Sequence, residues 1–255
     1  MFFNRILSNA YVFIFFVIFA CENKSSRSNE KKLTVNLKAK TPTIINYKSE
    51  LRPGEKLVLE NLYIDTVEFI ETNDQGDDIL FVAKKDNKKV VFINNYNVSF
   101  KGNRGDVVKV TWKVDSLYIS GDNESLNYNE WLMKVKKLKD GNLTIFKNSL
   151  KKPIRQYYEE DLILTVDYLQ YLHNQVEYYV ANSKNELIRI TLADTTADLS
   201  YSIEEMDRDE KKYIVLGIST VFEHHTNILQ WLYFDAFEKI VYEYDLPADS
   251  LVKFY

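Results

Sequence analysis

The hydrophobic pattern begins with an uninterrupted apolar run, residues 10–20, and after Cys21 a polar stretch follows, residues 22–32. A run of this length is typical of the hydrophobic region of a secretory signal, and it is shorter than the ~20 residues that cross a bilayer as a helix. The polar stretch contains no apolar residue, as expected of a flexible linker. The pattern therefore predicts a signal peptide over residues 1–20 and a tether over residues 21–32.

Residues 33–120 contain many short apolar segments with turn signals between them. Val108, Val110 and Trp112 alternate with polar residues, which predicts a strand with one buried face and one solvated face. Several short strands at such spacing are typical of a small all-β domain. We expect a sandwich or a barrel here, and an oligomer-binding-type barrel fits the same pattern.

After residue 120 the period of the pattern becomes helical. Four apolar residues share one helical face: Trp131, Leu132, Val135 and Leu138. Gly141 follows as a stop signal, so the spacing predicts a helix over residues 125–140. We expect this helix to form a connector over residues 121–150, with a short strand at residues 143–146.

The remaining segment, residues 151–255, predicts a long helix and then a sheet. Apolar residues recur at steps of three and four from Leu162 to Val180, which predicts one amphipathic helix of about 25 residues that begins near Pro153. Five alternating segments follow, at residues 188–192, 199–203, 214–218, 228–234 and 240–244. A helix packed on an antiparallel meander is an α+β arrangement. This part resembles a cystatin-type roll in topology, and that topology implies no particular function.

Composition and charge narrow the function classes. The balance of 45% hydrophobic and 27% charged residues is typical of a globular protein, so the chain is predicted to fold. The formal net charge is −4, which argues against a nucleic-acid partner. Only 7 glycines are present and no glycine-rich phosphate loop occurs among them, so we expect no nucleotide and no other cofactor.

The only cysteine of the chain, Cys21, directly follows the apolar run in the sequence Ile18-Phe19-Ala20-Cys21. These four residues resemble the lipobox of bacterial lipoprotein signal peptides. The resemblance implies cleavage before Cys21 and a palmitate-type acyl anchor that holds the protein on a membrane. The Gly-poor composition, rich in Asn, Lys, Tyr and Ile, is similar to that of Bacteroidota lipoproteins. It implies a cell-envelope location, with the outer membrane favoured and the periplasmic or surface side left open.

Two patterns suggest metal ligands. Glu223-His224-His225 lies at a predicted strand end, and His173 lies on the long helix with Glu177 one turn further on. If the helix crosses that hairpin, these histidines and Glu177 would form a two-His-one-carboxylate site. The alternative is that they are ordinary polar residues of a turn and a helix surface. Residues 73–78 place carboxylates near a glycine, as calcium loops do, but equally suit a hairpin turn.

An aromatic strip is the other candidate site. Leu229, Trp231 and Tyr233 alternate along one predicted strand. If exposed, they would form a surface for a glycan or a peptide, and the same alternation fits a buried core.

No catalytic motif stands out in the sequence. We therefore predict a non-catalytic binding module of the cell envelope: an assembly partner, an inhibitor or an immunity-type protein, with another envelope protein as its partner. The alternatives are a metal-assisted hydrolase that uses His224 and His225 and a glycan-binding surface lipoprotein.

Overall fold

The computed structural model describes residues 43–96, 98–118, 126–159, 161–194, 196–221 and 226–254. All of them belong to one compact unit. Over these residues the chain is a mixed α+β protein, composed mostly of strands, with two sheets and three helices, so the predicted α+β class is confirmed. The predicted signal peptide, Cys21 and the tether lie outside the described residues.

The first sheet is a closed barrel. Its strands are β1 (Leu62–Asn73), β2 (Leu80–Lys85), β3 (Lys88–Ile93), β4 (Val107–Tyr118) and β5 (Leu126–Lys139). They follow the order β1-β2-β3-β5-β4, with β3 parallel to β5 and with β1 closing antiparallel onto β4. Val108, Val110 and Trp112 are fully buried on one face of β4, as the alternation predicts.

Strand β5 occupies the place of the helix predicted over residues 125–140, so that prediction is wrong. Two β-bulges explain why the sequence imitates a helix. Trp112 pairs with Leu132 and Thr111 pairs with Lys134, which leaves one residue of β5 unpaired, and a second shift follows near the end of the strand. Because each bulge adds a residue, inward-facing positions such as Leu132 and Val135 come three apart instead of two. The barrel therefore extends past the predicted boundary at residue 120.

A cover segment, residues 43–60, packs against the interior of the barrel. Ile45, Leu51 and Leu57 are buried in the same cluster as the inward-facing residues of β4. Arg52 of this segment donates from Nε to Asp65 Oδ2 at 2.9 Å. The same carboxylate of β1 also accepts hydrogen bonds from Lys85 Nζ (2.8 Å) and Trp112 Nε1 (2.9 Å). Burial alone would raise the pKa of Asp65, but these three donors outweigh burial and hold it below the usual value.

A second buried carboxylate, Glu130 of β5, lies under the cover segment. Only 6% of its surface is exposed, and its Oε1 atom has no hydrogen-bond partner in the described part of the chain. Burial raises the pKa of Glu130 to about 7, and the negative charges of Asp65 and Glu50 add to the effect. Ser49 and Tyr47 of the cover segment face the carboxylate and oppose the rise.

The elements that follow the barrel are α1 (Asn142–Ser149), β6 (Arg155–Tyr158), α2 (Val166–Asn182), α3 (Glu186–Ala193), β7 (Asp198–Arg208), β8 (Lys211–Val221), β9 (Thr226–Asp235), β10 (Ile240–Asp245) and β11 (Ser250–Lys253). The six strands form the second sheet, in the order β11-β10-β9-β8-β7-β6. Strand β6 is parallel to β7, and the other neighbours are antiparallel. Leu172, Val176 and Tyr179 of α2 are buried in one cluster with Leu216 and Leu232 of the sheet.

Helix α2 is shorter than the predicted helix, because it has 17 residues and starts after the cap residue Thr165. Strand β6 lies where the helix was expected to begin. Residues 188–192 were predicted as a strand and lie in α3 instead, where Asn185 caps the helix by accepting from the N–H groups of Leu187 and Ile188. The short strand expected at residues 143–146 is part of α1. The four remaining predicted strands are confirmed as β7 to β10.

Asp106 joins the barrel to the helices. Its side chain is fully buried at the start of β4. Oδ1 accepts from Gly141 N (2.8 Å) and Thr144 Oγ1 (2.7 Å), while Oδ2 accepts from Asn103 N (2.9 Å) and lies 2.9 Å from Lys137 Nζ. Burial alone would raise the pKa of Asp106, but these donors outweigh it and lower the pKa. The carboxylate thus fixes the start of α1 against the barrel.

Candidate binding groove

Three large apolar side chains stand almost fully exposed near the start of α2 and at the turn between β9 and β10. Ile163 is 96% exposed, Val166 81% and Phe237 89%, the highest values among the large apolar residues that the structure describes. Exposed apolar surface of this kind marks interaction sites when it is clustered. The first question is therefore whether the three residues belong to one surface.

A groove of about 460 Å³ connects the two regions, and we call it the binding groove. Leu164, Tyr168 and Phe237 form its apolar wall. Ile163 precedes Leu164 in the chain, and Val166 is the first residue of α2. The rest of the lining is Glu205, Glu210, Lys211, Lys212, Tyr213, Ile214, Asp235 and Ala236. Phe237 thus lines an apolar groove with a charged rim, and Ile163 and Val166 lie next to its wall residue Leu164 in the chain.

Asp235 holds the turn that carries Phe237. Its Oδ1 atom accepts from Phe237 N and Glu238 N, both at 3.0 Å, and its carboxylate also pairs with Lys211. Burial alone would raise the pKa of Asp235, but the backbone donor of Glu238 and the lysine outweigh it and lower the pKa. A fully buried aspartate that fixes an exposed aromatic residue gives Phe237 a defined position.

The other side of the groove is fixed by the first turns of α2. The Thr165 side chain accepts from Tyr168 N at 3.2 Å. The buried stripe of α2 begins only at Leu169, so Val166 faces away from the core. Tyr168 stacks on Tyr171 with ring centroids 6.2 Å apart, and Tyr171 in turn contacts Phe234 of the sheet at 5.7 Å.

An acidic pocket adjoins the binding groove. Its lining is Glu159, Asp161, Leu162, Ile203, Glu204 and Glu205. Glu205 lines both the pocket and the groove, and it is paired with Lys212. Within the described ranges Glu159, Asp161 and Glu204 form no salt bridge, so the pocket carries uncompensated negative charge.

The structure separates the three residues of the predicted aromatic strip. Trp231 and Tyr233 lie on the face of the sheet that points away from α2, whereas Leu229 packs on the α2 side. A β-bulge causes the separation: Ile218 pairs with Gln230 but the next residue of β8 pairs with Ile228, which leaves Leu229 out of the alternation. Tyr233 is only 5% exposed. The three residues therefore do not share one exposed face.

Trp231 and Tyr233 instead belong to a small aromatic core. Tyr213 meets Tyr233 edge to face with ring centroids 5.6 Å apart. Arg208 lies 5.3 Å above the ring of Tyr244 and pairs with the turn between β10 and β11. The whole cluster is Tyr213, Val215, Trp231, Tyr233, Tyr242, Tyr244 and Leu251. It stabilises the outer face of the sheet by mutual packing.

Two of the four predicted metal ligands lie together. His173 Nε2 is 3.5 Å from Glu177 Oε1, and Lys147 Nζ is 2.7 Å from the other oxygen of Glu177. Burial alone would raise the pKa of Glu177, but His173 and Lys147 outweigh it and lower the pKa. His224 and His225 lie outside the described residues. No group of three or more His, Cys, Asp or Glu side chains that could hold a metal occurs among the residues described.

The groove residues were not identified from the sequence. Residues 162–164 form an aliphatic run of three, and one face of a helix cannot bury three successive residues. Phe237 is an apolar residue in the gap between the segments predicted as strands at residues 228–234 and 240–244. Both were usable signals of exposed apolar surface, but neither indicates that the two segments meet.

Of the helices that the structure describes, none combines the length and the apolar character needed to cross a bilayer. No model of a known protein family matches the chain, and no curated protein matches it.

Proposed function

We propose that this chain is a non-catalytic binding protein of the cell envelope, anchored by lipid on Cys21, that holds another envelope protein in the binding groove. One observation carries the proposal: Ile163, Val166 and Phe237 remain exposed beside an apolar groove. Burying one such side chain stabilises a complex by roughly 1.5–3 kcal/mol. Aromatic residues such as Phe237 are enriched at protein interfaces, and Ile163 and Val166 add apolar contact area.

The character of the two sheets supports a binding role. We propose that the five-stranded barrel is of the oligomer-binding type, in which the loop between the first two strands takes part in recognition. In this chain that loop carries Asp74, Asp77 and Asp78, which is unfavourable for a nucleic acid. We also propose a cystatin-like roll for α2 on the second sheet, an arrangement that leaves its edges and turns free for contacts.

A metal-assisted hydrolase is the second candidate. The approach of His173 to Glu177 favours it, since both were predicted as ligands. Lys147 competes with a metal ion for the Glu177 carboxylate, and the site also needs His224 or His225. The glycan-binding alternative relied on the aromatic strip, of which Tyr233 is buried.

Capture of the partner in the source organism tests the proposal. The full-length chain, tagged after its last residue, is purified from envelope extracts after cross-linking. The double variant Ile163→Ser, Phe237→Ser is compared with Leu246→Ser, which removes another exposed apolar residue, 72% exposed, from a different turn. Exposed substitutions of this kind change stability by within about 0.5 kcal/mol, so binding is read directly.

We expect the unchanged protein and the Leu246→Ser variant to capture the same envelope protein. The double variant loses that protein. Equal capture by all three proteins would contradict the proposal, and so would the absence of any captured protein.

A further inference from the structure

Strand β6 forms one edge of the second sheet. It pairs with β7 on one side, and no strand of the described chain pairs with its other side. All four of its residues are exposed, with Tyr157 at 49% and Tyr158 at 45%. Because neighbouring strand residues point to opposite faces, these tyrosines offer contact area on both faces of the sheet edge.

The edge strand is short, with four residues, but its side chains do not block pairing with another chain. Natural edge strands are blocked by lysine, proline or bulges. The sequence of β6, Arg155-Gln156-Tyr157-Tyr158, contains neither lysine nor proline, and Arg155 is paired with Asp198. At the opposite edge, β11 ends in Lys253. Among the residues that the structure describes, the outer backbone groups of β6 have no partner, so an added strand can pair with them.

The acidic pocket lies at the end of this edge. Strand β6 ends at Tyr158, and Glu159 is the first residue of the pocket lining. Asp161 and Glu204 complete its uncompensated charge, as described above. A strand that continues past β6 would therefore run along a pocket lined by three acidic residues, and the pocket leads through Glu205 to the binding groove.

We propose that β6 accepts an extended, basic segment of the partner protein as an added strand, with its lysine or arginine side chains in the acidic pocket. The inference rests on the proposed function, since it names the chemistry of the partner that the groove holds. Main-chain hydrogen bonds along β6 hold the segment, and the pocket selects for positive charge. The apolar groove then receives the part of the partner that lies beyond the strand.

Peptide binding to the full-length protein tests this inference. The probe is a short, labelled peptide of alternating lysine and valine, followed by fluorescence anisotropy. One comparison peptide replaces lysine with glutamate. A second keeps the lysines but carries N-methyl groups on two adjacent central amides, so that neither edge of the peptide keeps its full row of donors.

Two protein variants distinguish binding at the acidic pocket from attraction to negative charge elsewhere on the protein. The pocket variant Glu159→Gln, Asp161→Asn, Glu204→Gln is compared with Asp74→Asn, Asp77→Asn, Asp78→Asn, which removes three carboxylates from the barrel loop. We expect the pocket variant to bind the lysine peptide about tenfold more weakly, from three charge pairs of modest strength. The barrel-loop variant binds it unchanged. The glutamate and the N-methylated peptides do not bind.

Three results would overturn the inference: equal binding of the N-methylated peptide, an equal loss in both triple variants, or no binding of the lysine peptide at all. The proposed function fails separately. If the Ile163 and Phe237 double variant still captures the partner while the lysine peptide binds as expected, partner binding in the groove is contradicted and strand addition at β6 is supported. If the double variant loses the partner and the peptide results fail, groove binding is supported and strand addition at β6 is contradicted.

Discussion

Replacing Glu130 by glutamine tests how the cover segment closes the barrel. The Glu130 side chain is 94% buried beside Ser49 and Tyr47, with one carboxylate oxygen unpartnered among the described residues. Protonated glutamate and glutamine have nearly the same shape. The substitution therefore removes the buried charge and leaves the packing of the cover segment intact.

The magnitude follows from the two pKa values. The pKa of Glu130 is about 7 in the folded protein, against a reference value of 4.5. The unfolded chain releases the Glu130 proton near pH 4.5, whereas the folded protein keeps it up to about pH 7. The contribution of protonated Glu130 to the free energy of unfolding is therefore fully present below pH 4.5 and is lost as the pH rises through 7. The complete loss corresponds to about 3 kcal/mol of unfolding free energy. Glutamine does not titrate, so the variant avoids this loss.

Urea unfolding of the protein and the Glu130→Gln variant at pH 5 and pH 8 measures the effect. The free energy of unfolding of the variant minus that of the unchanged protein should be about 2.5 kcal/mol larger at pH 8 than at pH 5. The control is Glu68→Gln, which removes a half-exposed carboxylate of β1 paired with Lys84. A stability difference that stays constant with pH would refute the reasoning, since a charge buried under the cover segment must titrate.

Three further predictions concern stability and location. Asp106→Ala removes the acceptor for Gly141 and Thr144, and it should lower the free energy of unfolding by about 3–5 kcal/mol in denaturant titrations. Gly217→Ala places a Cβ atom 2.4 Å from the Trp231 ring, so we expect a loss of about 1–3 kcal/mol and a changed tryptophan fluorescence spectrum. Cys21→Ser removes the proposed lipid attachment, and the protein should move from the membrane fraction to the soluble fraction of cell extracts.

The sequence predicted strands well where alternation was uninterrupted. Strands β4, β7, β8 and β10 follow a period of two, and the structure has them where expected. Strand β9 also lies where expected, although a bulge displaces Leu229 from its alternation. Prediction failed in β5, because its bulges place Leu132 and Val135 at a helical spacing. It failed again in α3, where Ile188 and Ile190 alternate as in a strand. Asn185 caps the first turn of a helix there, and only Ile188 of the two isoleucines is buried. Local periodicity does not reveal bulges or caps that depend on neighbouring strands.

The candidate surfaces were harder to predict than the elements. Ile163 and Phe237 are 74 positions apart, and only the packing of α2 on the second sheet brings Leu164 and Phe237 to one groove. The acidic pocket likewise combines Glu159 with Glu204 from an adjacent strand. No periodic signal marks such residues, because they come from separate elements that only the folded chain brings together.

Site-specific photo-cross-linking in living cells tests the binding groove most directly. A photo-reactive amino acid replaces Phe237 in one strain and Leu246 in another, so that both probes stand in exposed turns of the second sheet. We expect one discrete cross-linked envelope protein from position 237 and none from position 246. The same products from both positions, or no product from position 237, would contradict it.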